Sequence, residues 1–342
     1  MQGYCLVSRS EKGEDDIVIA KTIELTAIPM IDFTRFLTGG AGERRAIAKE
    51  IAAACTEIGF FYLAGHGVPE TLQAAIFEQS ALFFRLSAEE KLEAQATAEW
   101  FRGWVPPPRT ETLSRDTRLF HQYLLQLQLS PGRTADPDTC FLDWPNRWPG
   151  GLSAFRAVAE QYLEAMHQLS TELLRAFALG LDLPENRFAD TFRDPPSLLS
   201  LLHYPPLPEG AEIDVSNIVS HTDEGPITIL AQDPIGGLEV KRRDGIWIQA
   251  PPIPGTFTIN VGDMMTWWSN GEYLSNYHRV RNRSGVERFS IPFFSYPDRD
   301  IVVEPLPELL VRTGPPKFAP VRVSEQLKRF YARQRKHAGM IE

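Results

Sequence analysis

Between about residues 198 and 300 the chain consists of short segments of alternating polarity separated by turn sequences. The segment 256–261 alternates threonine or asparagine with phenylalanine, isoleucine and valine, which is typical of a strand with one buried face. The dipeptides Asp-Gly at 244–245 and Asn-Gly at 270–271 are turn sequences that connect strands. Because no long helical pattern interrupts this region, it predicts an antiparallel jelly roll or barrel.

Helical periodicity dominates the remainder of the chain. Apolar spacing and capping residues predict helices at 43–58, 69–86, a short segment after Ser87, 153–179 and 324–336. The first should stop at Gly59 and lead into a short strand at 60–63. We expect the last helix to pack on the outside of the barrel. The stretch from 101 to 150 is rich in proline and tryptophan and predicts connecting loops.

These patterns predict an α+β chain with a mainly β core, flanked by helices. At 342 residues the chain can bury a large core. The predicted division is an N-terminal leader (1–25), an N-terminal helical and mixed region (26–150), a long supporting helix (151–197), a β core (198–300) and a C-terminal segment with a helix (301–342).

Two histidines and one aspartate of the predicted barrel suggest a metal site. In an extended chain the side chains of residues i and i+2 project to the same side, so His221 and Asp223 could reach one ion. His278 would then supply the third ligand from another strand. Two imidazoles and a carboxylate suit a non-heme iron(II), whereas the helical zinc motif His-Glu-x-x-His is absent from the sequence. The tripeptide 221–223 alone also fits an ordinary histidine followed by an aspartate in a turn.

With these residues in place, the chain resembles the iron(II)- and 2-oxoglutarate-dependent oxygenases of the isopenicillin N synthase-like family. The matching segments cover most of the chain, in the expected order and spacing. They are residues 28–32, 59–68, 102–104, 203–206, 221–223, 260–263, 268–271, 278–280 and 288–290. So many ordered segments make the resemblance specific.

The resemblance implies a double-stranded β-helix, cupin-like core and assigns the iron ligands as His221, Asp223 and His278. It also implies that Arg288 and Ser290 bind the distal carboxylate of 2-oxoglutarate, with Tyr204 near the co-substrate or substrate. Paired guanidinium donors match a carboxylate, and an arginine on an apolar strand would be costly to bury without an anion. Where plant members often have asparagine, this chain has Leu202, so one hydrogen bond to the co-substrate is lost or supplied elsewhere.

The implied reaction oxidises an unactivated C–H bond of a small molecule, expected to be a specialised metabolite, with O2 as oxidant and release of succinate and CO2. Hydroxylation is the default outcome, and desaturation or ring closure are variants of it. Phe294 and Phe101 are candidate substrate contacts, because aromatic residues commonly line ligand cavities. Two alternatives stay open: a ring-closing oxidase that uses no 2-oxoglutarate, and a non-catalytic barrel that binds a small ligand.

Charge and cysteine content bear on partners and location. A formal net charge of -9 argues against nucleic acid or an anionic membrane as the main partner. Three cysteines without metal-like spacing fit a reducing compartment, and no signal-peptide pattern is visible. We therefore expect a cytoplasmic monomer or simple homo-oligomer that acts on a small molecule.

Overall fold

The computed structural model describes residues 28–106, 121–127, 142–206, 218–282 and 284–340. The helices are α1 (Thr34–Thr38), α2 (Ala41–Glu57), α3 (Glu70–Arg85), α4 (Ala88–Leu92), α5 (Phe155–Gly180), α6 (Asp263–Trp268), α7 (Pro307–Thr313) and α8 (Val323–His337). The strands are β1 (Met30–Asp32), β2 (Phe60–Ala64), β3 (Gly103–Val105), β4 (His121–Gln126), β5 (Leu198–Tyr204), β6 (Ile218–His221), β7 (Ile227–Gln232), β8 (Leu238–Lys241), β9 (Trp247–Gln249), β10 (Phe257–Val261), β11 (His278–Val280), β12 (Arg288–Ser295), β13 (Val302–Val303) and β14 (Val321–Arg322).

Two sheets form the core of the molecule. The larger has the strand order β1-β2-β10-β7-β12-β5-β4-β3, and the smaller has the order β6-β11-β8-β9. Apart from the parallel pair β1–β2, the neighbours in both sheets are antiparallel. Buried residues of both sheets, such as Tyr62, Leu202 and Val240, pack in one cluster between them. This is the predicted jelly roll, with the smaller sheet closing one face of the larger.

A layer of helices covers the other face of the larger sheet. Helix α5 buries the predicted apolar stripe, which includes Phe155, Tyr162, Met166 and Phe177, in the main hydrophobic cluster. Strand β10 lies within the larger sheet and is buried on both faces, whereas the sequence predicted one buried face. Its apolar residues face the helices, while Thr258 and Asn260 are also buried, at 3% exposure each.

The predicted helix boundaries are confirmed within one or two residues. Gly59 ends α2 with φ 71°, and a Cβ there would lie 2.0 Å from the Leu274 carbonyl oxygen, so only glycine fits. Ser87 caps α4: the Glu90 amide donates to its hydroxyl at 3.2 Å, and the Ser87 amide donates to the Glu90 carboxylate at 2.8 Å.

The prediction of loops between 101 and 150 was wrong for residues 103–105 and 121–126, whereas the described residues 142–150 contain no strand or α-helix. Strands β3 and β4 extend the larger sheet, and β4 pairs with β5 from His121↔His203 to Gln126↔Leu198. These strands are buried because they pair with the sheet. They are too short for the alternation of apolar and polar residues to predict them. The predicted leader at 1–25 lies outside the described residues.

The last helix differs from expectation in its environment. Helix α8 buries Leu327 and Tyr331 against the core, and the Arg102 guanidinium lies 4.9 Å from the centre of the Tyr331 ring. Its other face lines a cavity between the sheets, so the helix does not simply cover the outside of the barrel. Within the described ranges, no helix combines the length and apolar character needed to cross a bilayer.

His121 on β4 should make the fold sensitive to acid. Burial, and then the charge of the neighbouring His203, lowers the pKa of His121 to about 4, and its Nδ1 is buried without a hydrogen-bond partner among the described residues. Between this value and about 6.5, the unfolded chain binds a proton that the folded chain does not. The contribution of His121 to the free energy of unfolding is therefore fully present above pH 6.5 and is lost as the pH falls towards 4.

We expect His121→Phe to leave the melting temperature at pH 7.5 unchanged or higher, because it removes a buried unpaired nitrogen beside Phe84. The fall in melting temperature between pH 6.5 and 4.5 should be smaller than in the wild type. Thermal unfolding followed by circular dichroism over this range measures both quantities. Parallel curves for the two proteins would show that His121 does not contribute to acid lability.

Candidate metal centre

The three predicted metal ligands lie together at one end of the smaller sheet. His221 ends β6 and His278 begins β11, and these two residues are direct partners in the antiparallel pair. Asp223 Oδ1 lies 3.6 Å from Nε2 of each histidine. One potential ligand atom from each residue lies within 4.8 Å of the others, and no other such group of three occurs in the part of the chain that the structure describes.

Backbone carbonyl groups orient the two imidazoles. His221 Nδ1 lies 2.9 Å from the Val219 carbonyl oxygen, and His278 Nδ1 lies 3.2 Å from that of Asn276. When Nδ1 carries the proton and donates it to the carbonyl, the Nε2 lone pair is free to bind a metal. Both Nε2 atoms face Asp223, so each ring presents its ligand nitrogen to the same point.

Asp223 is held by two hydrogen bonds on one oxygen. Thr228 Oγ1 and Asn260 Nδ2 donate to Oδ2 at 2.6 and 2.7 Å, which leaves Oδ1 towards the histidines. Burial alone would raise the pKa of this carboxyl. The adjacent His278 and His221, together with the two hydrogen bonds, outweigh burial and hold the pKa below its ordinary value. The site therefore keeps an ionised ligand in a buried position.

The donor set fits iron(II). It offers two imidazole nitrogens and one carboxylate on one side of a point, the facial arrangement that leaves further coordination positions open. Among the described residues, the ion-pair partners of Asp223 are the two histidines and no lysine or arginine. A buried carboxylate in this setting is best neutralised by a bound cation.

Two glycines allow close backbone packing around the turn that follows β6 and carries Asp223, called the ligand turn below. A Cβ on Gly262 would lie 2.0 Å from the Gly225 carbonyl oxygen, and a Cβ on Gly225 would lie 2.3 Å from that of Ser295. The Asp263 amide donates to the Asp223 carbonyl oxygen at 2.7 Å. The turn is thereby fixed between the start of α6 and the end of β12, which gives Asp223 a defined position.

Arg288 is a fully buried cation on β12. Its Nη1 donates to Ser290 Oγ at 3.2 Å and its Nη2 to Gln232 Oε1 at 3.1 Å, while Nε donates to the Gly236 carbonyl. Its guanidinium lies 4.6 Å from the centre of the Tyr204 ring. These partners are neutral, and Arg288 forms no ion pair with a described residue. Such a buried charge calls for an anionic ligand.

One cavity joins this arginine to the metal residues. It is lined by His221, Asp223, His278, Arg288, Ser290, Tyr204 and Leu202, among others. The Tyr204 hydroxyl lies 3.3 Å from Ser290 Oγ, so the three predicted co-substrate residues are brought together. Leu202 presents an apolar side chain where many relatives were expected to present an amide. Gln232, which holds Arg288, was not identified from the sequence because its role depends on the pairing of β7 with β12.

A second cavity of about 460 Å³ opens beside His221 and Asp223. Phe294 lines both cavities, and its role as a substrate contact stays a prediction. Phe101 lines neither of them; it is buried in the core, with its ring 6.1 Å from that of Tyr331. The structure therefore gives the predicted substrate role of Phe101 no support.

The second cavity also has lining residues that the sequence analysis missed. They are Tyr296 and, on α8, Gln326, Phe330, Arg333, Gln334 and His337. The α8 residues are spaced as one face of a helix. This spacing is the sequence pattern that could have identified them as a group.

Side chains on one face of β12, together with Tyr296 just after the strand, line both cavities. Arg288, Ser290, Pro292 and Phe294 line the first cavity, and Phe294 and Tyr296 line the second. Alternate residues of a strand share a face and rise about 6.6 Å per pair. The buried cation thus lies at one end of this row and the aromatic residues at the other, with the metal ligands beside the row.

Comparisons with known proteins agree with this geometry. Residues 195–297 match the 2OG-Fe(II) oxygenase superfamily, and residues 28–151 match the non-haem dioxygenase in morphine synthesis N-terminal family. The 2-oxoglutarate-Fe(II) type oxidoreductase hxnY of Emericella nidulans is 30% identical over 325 residues, 90% of each chain.

Two solved structures are also similar. A full-length Neurospora crassa protein in complex with alpha-KG and thymine has a TM-score of 0.80 and 29% identity, covering 90% of this chain and 97% of the other. JOX2 in complex with 2OG, Fe and JA has a TM-score of 0.73 and 29% identity, covering 89% and 84%.

Proposed function

The chain belongs to the 2OG-Fe(II) oxygenase superfamily, and we propose that it hydroxylates an unactivated C–H bond of a small, specialised metabolite. The resemblance seen in the sequence is confirmed. The protein is an oxidoreductase that depends on iron(II) and 2-oxoglutarate. The observation that carries the proposal is one cavity lined by both the His-Asp-His cluster and an unpaired buried arginine.

The proposed metal ligands are His221, Asp223 and His278. Their support is the convergence of three ligand atoms within 4.8 Å and the carbonyl contacts that free each Nε2. When bound, the iron and 2-oxoglutarate supply the oxidising power for C–H cleavage, with release of succinate and CO2. Phe60, whose ring lies 5.4 Å from that of His278 edge to face, packs beside this ligand and limits access of water to it.

Arg288 and Ser290 are the proposed anchor for the distal carboxylate of 2-oxoglutarate, with Tyr204 closing the pocket around them. The contact from Gln232 fixes one edge of the guanidinium, so its orientation is set before the ligand arrives. Leu202 and Phe294 contribute apolar surface between this anchor and the second cavity. These side chains keep water away and orient the small molecule relative to the metal.

The purified enzyme tests this function directly. With iron(II), 2-oxoglutarate and O2 it should form succinate, and an accepted substrate should raise that rate and give one product per succinate. Enzyme treated with a chelator is the control and should form none. Product formation without succinate would support the ring-closing oxidase, and a lack of iron- and 2-oxoglutarate-dependent O2 consumption would support the non-catalytic barrel.

We further propose that the protein acts in the cytoplasm as a monomer or simple homo-oligomer. Support comes from the free, buried Cys55 and from a metal that must stay reduced, both suited to a reducing compartment. Cell fractionation and light scattering on the purified protein test location and assembly. Recovery in an oxidising compartment would contradict the first statement.

A further inference from the structure

Helix α8 presents two different faces to the molecule. One face is packed in the core through Val323, Leu327 and Tyr331. The other face lines the second cavity and consists of Gln326, Phe330, Arg333, Gln334 and His337. Apart from Phe330, this second face is polar, and two of its residues, Arg333 and His337, are also exposed to solvent. It supplies the α8 side of the cavity with hydrogen-bonding groups.

The packed face holds the helix in position. The Arg102 guanidinium, itself fully buried, lies over the Tyr331 ring. Arg102 in turn donates to the Phe101 carbonyl oxygen at 2.8 Å and to the Gln126 side chain. Because this anchor ties α8 to β3 and β4, the polar face has a fixed place in the cavity wall.

Arg333 has unused hydrogen-bonding capacity on this wall. Its Nη2 pairs with Glu224 Oε1, and Gln326 Nε2 donates to Glu224 Oε2 at 3.2 Å. Both oxygens of Glu224 are thus engaged, and its side chain is 14% exposed. The Arg333 side chain is 52% exposed, and its Nε and Nη1 have no hydrogen-bond partner among the described residues. The wall therefore offers spare donors next to a carboxylate that is already paired.

The charged residues of the cavity lie in two groups, one at the metal site and one on the α8 wall. Asp223 and Asp263 lie at the metal end, where Asp263 accepts a hydrogen bond from Thr222 at 3.3 Å. Arg333 and His337 lie on the α8 wall, where Arg333 is already paired with Glu224, a further lining residue. Between these ends the lining is largely apolar and aromatic, through Leu124, Leu198, Leu202, Phe294 and Phe330. An occupant with an apolar body and one acidic end matches this order.

We propose that Arg333 recognises the carboxylate of a small organic acid whose apolar body lies over the metal centre. A guanidinium matches a carboxylate through paired N–H donors, and a volume of about 460 Å³ suits a small metabolite. The inference rests on the proposed function, because that function makes this acid the molecule to be oxidised. It adds the chemical class of the substrate and its orientation.

Ligand binding to the holoenzyme tests the proposal. The enzyme, loaded with iron(II) and saturating 2-oxoglutarate without O2, is titrated with arylalkanoic acids and with the primary amide of each acid. We expect acids, but not their amides, to raise the melting temperature of the wild type. Arg333→Gln should weaken acid binding about tenfold or more, as loss of a charged hydrogen bond does, and Arg333→Lys should weaken it less.

Arg329→Gln is the matched control, since it removes the same charge from the same helix at an exposed position outside the cavity. It should bind acids like the wild type. The proposal is overturned if no acid stabilises the wild type, if acids and amides stabilise it equally, or if both Arg333 variants bind acids like the wild type.

Succinate formation by the wild type, measured separately, tests the proposed function. If it is absent while acids still bind through Arg333, the oxygenase assignment fails and the acid site remains. If the wild type forms succinate but acid binding does not depend on Arg333, the proposed acid site is wrong and the proposed function stands.

Discussion

Replacing Asp223 with alanine should remove iron from the protein and lower the rate of succinate formation by more than about 100-fold. Mutation of a residue that only hydrogen-bonds to a metal ligand costs up to about 100-fold, and loss of a ligand itself should cost more. Asp223 is the anionic member of the cluster, and its Oδ1 faces Nε2 of both His221 and His278 at 3.6 Å. Without it, two imidazoles remain and cannot form the facial set. Iron content after gel filtration and the rate of succinate formation measure the two effects.

Asp263→Asn is the control for this change. Asp263 is a neighbouring carboxyl whose pKa is raised by burial, and it is not one of the three clustered ligands. We expect this variant to retain iron, and circular dichroism should show both proteins folded. Equal loss of iron from the two variants, or retention by Asp223→Ala, would contradict the proposed ligand set.

Arg288→Lys should raise the KM for 2-oxoglutarate about 30-fold or more while iron content stays the same. Lysine keeps the charge but loses the planar fork that matches a carboxylate. Loss of the paired, charge-assisted hydrogen bond corresponds to about 2 kcal/mol, or close to 30-fold in affinity. Steady-state kinetics at varied 2-oxoglutarate concentration measure the change.

Ser290→Ala gives the graded comparison for the co-substrate anchor. Its hydroxyl contacts both Arg288 and Tyr204, so we expect an increase in KM of about two- to tenfold, the equivalent of one neutral hydrogen bond. A KM for 2-oxoglutarate that neither variant changes would mean that the anion bound by Arg288 is another molecule. Loss of iron in Arg288→Lys would instead indicate a damaged barrel.

The features predicted correctly are those that local rules determine. The alternation at 256–261 and the dipeptide at 244–245 correctly predicted strand β10 and the turn between β8 and β9, because side-chain direction and turn geometry depend on adjacent residues. The dipeptide at 270–271 also lies in a turn, but that turn follows α6 and does not connect two strands. The spacing of His221 and Asp223 placed two ligands on one side. Their meeting with His278 followed from the resemblance and is realised by the β6–β11 pair.

The features that were missed depend on contacts between distant parts of the chain. Strand β4 is buried because it pairs with β5, and Thr258 is buried because a second sheet covers β10 on that side. Helix α8 was expected on the outside of the barrel, yet it packs in the core through Tyr331 and its opposite face lines the cavity. Phe101 was expected in the pocket because it is aromatic, although its ring packs beside Tyr331. The division into five segments stays a prediction.

The row of side chains on β12 has a consequence for directed evolution. The proposed co-substrate contacts lie at the start of β12 and the proposed small-molecule contacts at its end and just after it, so a library at Phe294 and Tyr296 can be screened without changing Arg288. The ligand turn tolerates no such variation, since a methyl group on Gly262 would meet backbone at 2.0 Å. New substrate ranges should therefore be found by combining changes at these two aromatic positions with changes on α8, while the oxidising end of the enzyme stays constant.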